Sequence, residues 1–271
     1  ENRDKPFFLA AGLHKPHQPW VGPVEFFDQH PAENIVLPPI PASDGSDSPA
    51  PSTLVLEDDA AHSELQKKQA IAAYHAMVTM ADHHVGRMLK GLEDLGLADS
   101  TIVVFTSDHG FQLNEHGGLW RKQFQFDESI RVPLIVRLPD GRGAGSVSEG
   151  IVELVDLYPT ICDVAGVEKP DHLQGESLIT ALKEPEESND SIALSQYARF
   201  GTKYTGRALR TDRYRFVVWD AKKGGETVHR ELYDHDSDPD ETVNLAGKEE
   251  HRELVLTLES QLREAFLRNE K

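Results

Sequence analysis

Ile102 to Phe105 is a short, unbroken β-branched and aromatic run that stops at Asp108-His109. A strand so uniformly apolar has to be covered on both faces, as strands of a parallel sheet are. In open α/β sheets ligands bind beyond the C-terminal strand ends, so a carboxylate and an imidazole placed there form a metal-capable pair in a functional position. Gly110 then permits a sharp departure. Glu115, His116, Gly117, Gly118 and Lys122 follow on a loop too glycine-rich for a helix and too polar for a core.

The rest of the first 184 residues alternates in the same way. Pro6 to Gly12 is strand-like and ends in His14-Lys15-Pro16-His17, which sets two imidazoles and an ammonium at a second strand end and mirrors Asp108-His109. A core strand this close to Glu1 leads us to expect further sequence upstream. Gln18 to Asp59 is rich in Pro, Asp and Ser without a sustained period and predicts a long irregular excursion, either a cleft-shaping loop or a surface insertion. Ser63-Glu64-Leu65-Gln66 is a capping box. Ile71, Tyr74, Val78, Ala81, Val85, Met88, Leu92 and Leu95 then recur at helical spacing as far as Gly96. Asp82, His83 and His84 on that helix point in different directions and suit a solvated face better than a metal. Arg131 to Leu138 is another strand. Asp156 is placed to cap a helix that has Pro159 in its first turn and ends at Gly166, with Cys162 as a small buried apolar residue on it.

Beyond Glu184 the pattern changes. Glu184 to Asp190 is acidic and aperiodic. Ile192 to Tyr197, Gly206 to Arg210, Tyr214 to Trp219 and Arg230 to Tyr233 read as antiparallel strands with a tight turn at Thr211-Asp212-Arg213. A last helix presents Leu254, Val255, Leu258, Leu262 and Phe266 to that sheet. The expected architecture is α/β, a largely parallel sheet sandwiched by helices over residues 1–184. A C-terminal α+β subdomain with a small antiparallel sheet follows over residues 185–271.

The chain has 271 residues, 28 Lys plus Arg against 46 Asp plus Glu and a formal charge of −18. So acidic a surface repels nucleic acid and anionic membranes, and an anionic substrate has to be drawn in by local positive charge. With Cys162 as the only cysteine an internal disulfide is excluded. No apolar run approaches the length of a membrane span.

The segments SDHGFQLNEHGGLWRK and FLAAGLHKPHQPW together resemble the sulfatases of the alkaline phosphatase superfamily, and the HKPH form is most similar to the iduronate-2-sulfatase branch. The likeness continues in family order through MVTMADHHVGRMLKGLEDLGL, QFDESIRVPLIV, VDLYPTICDVAG, RTDRYRFVVW and ELYDHDSDPDETVNL. It implies a sulfuric ester hydrolase acting on a sulfated carbohydrate such as a glycosaminoglycan, in a periplasmic, secreted or lysosomal setting. It makes Asp108 and His109 ligands of a divalent cation, usually Ca2+, with Zn2+ or Mg2+ as alternatives. It makes His14 and Lys122 catalytic contacts to the sulfate group, with Lys15, His17 and His116 on the substrate side and Glu115 beside them. Charge chemistry agrees, because a sulfate ester needs positive charge on its non-bridging oxygens. Trp120 is expected to pack the loop. For Glu115 and His116 the alternative is a pair that only fixes its loop.

Family members also carry, in an N-terminal part, an Asp-Asp pair that completes the metal site and a Cys-x-Pro-x-Arg segment whose cysteine becomes the formylglycine nucleophile. That part has no counterpart here, and Cys162 is followed by Asp163-Val164-Ala165 instead. The chain thus resembles the C-terminal portion of a sulfatase, whose partner would be the N-terminal portion of the same enzyme. Two other readings stay open. One is a phosphate mono- or diester hydrolase of the superfamily, since imidazole suits zinc better than calcium. The other is a non-catalytic remnant that binds anionic sugars.

Overall fold

The computed structural model describes residues 5–41, 44, 47–53, 61–185, 191–199, 203–222 and 225–269. Parts of two expected features, residues 42–43, 45–46 and 54–59 of the irregular excursion and residues 186–190 of the acidic break, lie outside them. The helices used below are α1 (Val24–Phe27), α2 (Ala50–Thr53), α3 (Glu64–Asp94), α4 (Asp127–Ile130), α5 (Leu157–Ala165), α6 (Ile179–Lys183) and α7 (Arg252–Asn269). The strands are β1 (Val103–Thr106), β2 (Gln112–Leu113), β3 (Trp120–Arg121), β4 (Leu134–Arg137), β5 (Ala193–Arg199), β6 (Tyr204–Arg210), β7 (Tyr214–Asp220) and β8 (Thr227–Asp234). They fall into two compact units. One comprises Glu1–Pro39, Leu56–Val103 and Arg137–Asp140; the other comprises Ile40–Val55, Val104–Val136 and Gly141–Lys271, so the boundary expected at 184/185 falls inside the second.

In the first unit α3 begins where its signal lies. Ser63 Oγ accepts the Gln66 N–H at 3.3 Å and Gln66 Oε1 accepts the Ser63 N–H at 2.8 Å, a complete capping box. The predicted apolar stripe is buried only in part. Of its members Ile71 is buried, together with Ala72, Ala76 and Met77 that the stripe did not include, whereas Val78, Met88 and Leu95 are exposed. Coverage comes from the chain before the helix: Trp20 meets Tyr74 edge-on at 6.2 Å and His30 Nε2 lies 2.7 Å from Thr79 Oγ1. His83 is exposed, its ring against Phe26 and His84 at 5.7 and 5.6 Å, as a solvated face predicts.

The strand expected over Pro6 to Gly12 is not formed. Phe8 and Leu9 are 79% and 77% exposed, and no described strand pairs with this run. An apolar run becomes a strand only through a ladder of hydrogen bonds, and none is available here.

In the second unit β1 pairs with β4, which shortens the strand expected at Arg131 to Leu138 to its central four residues, and β2 pairs antiparallel with β3 through Gln112↔Arg121 and Leu113↔Trp120. Helix α5 ends at Gly166 in the left-handed region (φ 65), as expected, and Cys162 is buried on it. Its start differs from expectation. Asp156 makes no side-chain cap to α5, because its carboxylate is taken by the Glu153 and Glu176 N–H groups, both at 2.8 Å. A distant backbone donor has outcompeted the local cap.

The four C-terminal strands form an antiparallel meander in the order β5-β6-β7-β8. Period-two alternation splits β7 between two cores. Phe216 and Val218 join Leu209 and Leu232 under Val255, Leu258 and Leu262 of α7, while Val217 and Trp219 face the other way with Ala208. Gly206 pairs with Trp219, and a Cβ there would come within 2.6 Å of the indole, so the ring takes the space a side chain would fill. On β8, Leu232 faces α7 and Tyr233 packs with Leu119, Phe124 and Phe126, which brings the loop after β3 onto the sheet. What is described of the irregular excursion is strapped down in the same unit. Asp47 Oδ2 accepts the Asn244 N–H at 2.9 Å, Ser48 Oγ lies 3.3 Å from the Tyr233 hydroxyl, and Ser52 donates to the buried Glu231.

Candidate active site

The end of β1 delivers Asp108 into solvent, with 85% of its side chain exposed, and His109 beside it half-buried. Asp108 Oδ1 accepts the His109 N–H at 3.1 Å. His109 Nδ1 lies 2.8 Å from the Gly110 carbonyl. A carbonyl only accepts, so Nδ1 carries the proton, and in the neutral ring Nε2 is left with the lone pair that a metal ligand needs. Nε2 sits 3.6 Å from Asp108 Oδ2. Two donors bound at right angles to one divalent ion lie about 3.0–3.6 Å apart. The residues present therefore fit a shared cation, and two donors leave most of a coordination shell to other groups.

Gly110 is held against α4. Its N–H donates to Ser129 O at 2.9 Å, and an added Cβ would lie 2.0 Å from Glu128 O. No other residue allows that approach. Gln112, fully buried, donates from Nε2 to Glu128 Oε2 at 3.2 Å and to Ser129 Oγ at 3.4 Å.

The loop that follows leads to Lys122. Glu115 folds back on its own turn, where its carbonyl accepts the Gly118 and Leu119 N–H groups at 3.0 and 2.7 Å and its carboxylate accepts the Leu113 N–H. Burial raises the Glu115 carboxyl above its usual range. His116, expected on the substrate side, is interior instead. Its side chain is 2% exposed and stacks on Phe126 at 3.8 Å and 13°. Nδ1 lies 3.4 Å from Asp44 Oδ1 and Nε2 3.3 Å from Glu128 Oε2. With both nitrogens taken by carboxylates, the ring offers no edge to a sulfate. Burial alone would pull this imidazole down, but the hydrogen bonds and charges of Asp44 and Glu128 outweigh it and push the pKa up to about 10.

Lys122 itself is half-buried, and no acceptor or carboxylate pairs with its ammonium among the described residues. Its backbone is anchored from the C-terminal sheet. Arg199 donates from Nη1 to Gln123 O at 2.8 Å and stacks over Phe124 at 4.5 Å. Gln125 Nε2 donates to Gly206 O at 3.1 Å and Ser195 Oγ to Gln125 Oε1 at 2.6 Å. Trp120 is buried within the loop, as expected.

In the first unit His14 and His17 are exposed, with ring centroids 4.9 Å apart, on a turn closed by the His17 N–H donating to His14 O at 3.0 Å. Lys15 spends its ammonium on the Pro19 carbonyl, and Trp20 Nε1 donates to Pro16 O at 2.9 Å.

A second acidic cluster lies under α4. Asp127, His235 and Glu241, and likewise His116, Glu128 and Glu241, bring ligand-type atoms within 4.8 Å of one another. A guanidinium already serves this cluster: fully buried Arg215 pairs with both Asp127 and Glu241, and His235 Nε2 lies 2.8 Å from Glu241 Oε1. Burial would raise the Glu241 carboxyl, but Arg215 and His235 outweigh it and hold the group below its usual range. An added divalent ion would face that guanidinium, so the cluster is an ion network and not a metal centre. Asp44, Glu128 and Arg199 were not singled out from sequence. Glu128 lies in the QFDESIRVPLIV segment, and Asp44 and Arg199 carry no periodic signal.

The sulfatase family matches residues 1–167, and the C-terminal region of N-sulphoglucosamine sulphohydrolase matches residues 114–268. The chain belongs to the sulfatase family. It is 30% identical to a sulfatase of Formosa agariphila over 97% of this chain and 50% of that protein, and 32% identical to the iduronate 2-sulfatase of Mus musculus over 93% and 60%. The chain therefore spans half to three fifths of the length of these curated relatives. Among solved structures it is similar to a protein bound to its substrate D-glucosamine-2-N,6-O-disulfate (TM-score 0.70, 33% identity, 76% of this chain and 42% of that one). It is also similar to a phosphonate monoester hydrolase of Silicibacter pomeroyi (TM-score 0.77, 26% identity, 94% and 54%). The fold of this sulfatase-family chain is accordingly the α/β fold of the alkaline phosphatase superfamily. Enzymes of the family use a divalent metal, typically calcium, and a formylglycine.

Proposed function

We propose that this chain is the C-terminal part of a sulfuric ester hydrolase that removes sulfate from a sulfated carbohydrate, in the manner of iduronate 2-sulfatase, together with an N-terminal part of the same enzyme. The observation that carries the reading is the Asp108 Oδ2 and His109 Nε2 pair at 3.6 Å on a strand end, with the Lys122 ammonium, unpaired among the described residues, on the loop that follows. The formylglycine of the N-terminal part would supply the nucleophile, and a cation held by Asp108 and His109, Ca2+ in this reading, would neutralise charge on the sulfate oxygens. Asp108 contributes anionic oxygen to the cation and His109 its Nε2 lone pair, while the Gly110 carbonyl fixes the ring. Lys122 meets a non-bridging sulfate oxygen, where charge builds up on the way to the transition state. His14 meets the same group or hands a proton to the leaving oxygen, and exposed His17 and Lys15 lie on the sugar side. A periplasmic, secreted or lysosomal location belongs to the same reading.

In the enzyme restored to full length, Asp108→Ala is expected to abolish metal retention and turnover of an aryl sulfate, and Lys122→Ala to lower kcat by about 10²–10³ with the metal kept. Metal analysis beside sulfatase assays checks both, and unchanged turnover in Asp108→Ala overturns the reading. The likeness to a phosphonate monoester hydrolase favours a second reading, a phosphorus ester substrate. Comparing phosphonate and sulfate esters on the same preparation, with the bound ion identified, separates the two. An enzyme that carries formylglycine yet hydrolyses neither ester is a sugar-binding remnant.

A further inference from the structure

Among the described residues Lys122 has no side-chain partner, so its position depends on its loop, and that loop is a costly one. Asn114, His116 and Arg121 hold φ of 86°, 48° and 85°, beside Gly117 and Gly118 at 76° and 99°. Non-glycine residues in the left-handed region persist only where surrounding contacts impose it. Among these residues it is His116 whose side chain ties the loop to distant segments. The ring is inserted flat against Phe126 and spans two segments far apart in sequence, reaching Asp44 with one nitrogen and Glu128 with the other. Asp44 is as buried as the ring, with 4% of its side chain exposed.

Glu128 gives this contact more than local meaning. It belongs to α4, whose Ser129 carbonyl holds the Gly110 N–H next to Asp108-His109, and its Oε2 also accepts from Gln112. The strand end with the metal-capable pair and the loop with the ammonium are thus fastened to one short turn, His116 making the second attachment.

We propose that His116 is a positioning residue: by bridging Asp44 and Glu128 as an imidazolium it sets the Lys122 loop against the turn that also holds the Asp108-His109 strand end. The charge follows from hydrogen-bond chemistry. Each ionised carboxylate needs an N–H, a neutral imidazole has one, and only the cation has two. The charged groups facing the ring are Asp44, Glu128, Glu115 and Glu241, the last already paired with Arg215 and His235. The net field is negative and favours the cation.

This inference rests on the sulfatase reading for its effect on turnover but not for the clamp, and the test keeps the two apart. In the chain as it stands, ring-nitrogen NMR of His116 is expected to show both nitrogens protonated at about pH 8, where an ordinary imidazole is neutral. The midpoint is expected near 10, moving down in Asp44→Asn. A ring titrating like a free imidazole overturns the proposal. In full-length enzyme, His116→Gln and Asp44→Asn are expected to lower kcat on an aryl sulfate about 10-fold to 100-fold while KM changes by less than about threefold, the result of a displaced transition-state contact. Should His116→Gln not fold, Asp44→Asn, which keeps shape and removes one charge, carries the same comparison. Folded variants with parental kcat overturn the positioning role. A parent that hydrolyses no sulfate ester contradicts the sulfatase reading and leaves the NMR outcome to decide the clamp.

Discussion

Two turns carry the candidate cationic groups, and they are built in opposite ways. The turn over residues 14–20 is exposed and closed by side-chain donors on its own carbonyls, Lys15 on Pro19 and Trp20 on Pro16. The loop over residues 114–125 is sunk into the second unit, fastened to α4, to Asp44 and, through Arg199 and Gln125, to the C-terminal sheet. Exposed contacts of the first kind contribute little net stability, because water replaces them when they break. Buried ionic contacts of the second kind stabilise only as complete sets, and removing one member leaves a charge stranded. The C-terminal sheet therefore does more than complete a fold: it holds the backbone around Lys122.

The comparison predicts its largest effect beneath the second loop. Arg215 sits between Asp127 at the start of α4 and Glu241. Arg215→Met removes the guanidinium that both carboxylates share and is expected to destabilise the chain by about 3–5 kcal/mol in denaturant titrations. A loss below about 1 kcal/mol would show the network to be solvated and the contrast between the turns to be one of exposure alone.

Much of this architecture was readable in advance, for particular reasons. The capping box at Ser63 and the strand run from Tyr214 to Trp219 are local patterns, and both match the structure. Asp108-His109 stood out because a strand end next to ligand-type residues is itself a chemical signal. The failures are non-local. The run at Phe7 to Leu9 has the composition of a strand but lacks the ladder that makes one. Asp156 has the look of a helix cap, yet Glu176, twenty residues away, supplies the N–H that it accepts. His116 sits 72 residues from Asp44 and 12 from Glu128, separations with no period, so its ion triad could not be distinguished from a substrate contact.

A smaller effect is expected from acid. Glu241 is held below its usual range in the folded chain, so its stabilisation is complete above the unfolded carboxylate pKa and is lost as pH falls through the lower folded value. His116 has the opposite sign. Its stabilisation is complete below the ordinary imidazole value and lost as pH rises through about 10. Thermal melts across pH should show both limbs, and Glu241→Gln should remove the acid one. An acid limb that survives that substitution would assign it elsewhere.

The smallest effect belongs to the exposed turn, and it sharpens the comparison most. Trp20→Phe keeps the aromatic body against Tyr74 and deletes only the N–H that reaches the Pro16 carbonyl. That carbonyl can turn to water, so the expected loss is about 0.5–1.5 kcal/mol, well under that of Arg215→Met. The effect on function should run the other way relative to stability. In an exposed turn a lost donor can shift the imidazoles without unfolding the chain, so in full-length enzyme the variant should lower aryl sulfate turnover by a larger factor than its stability loss alone would suggest. Equal turnover with the expected small stability loss would mean that His14 is placed by contacts outside its own turn.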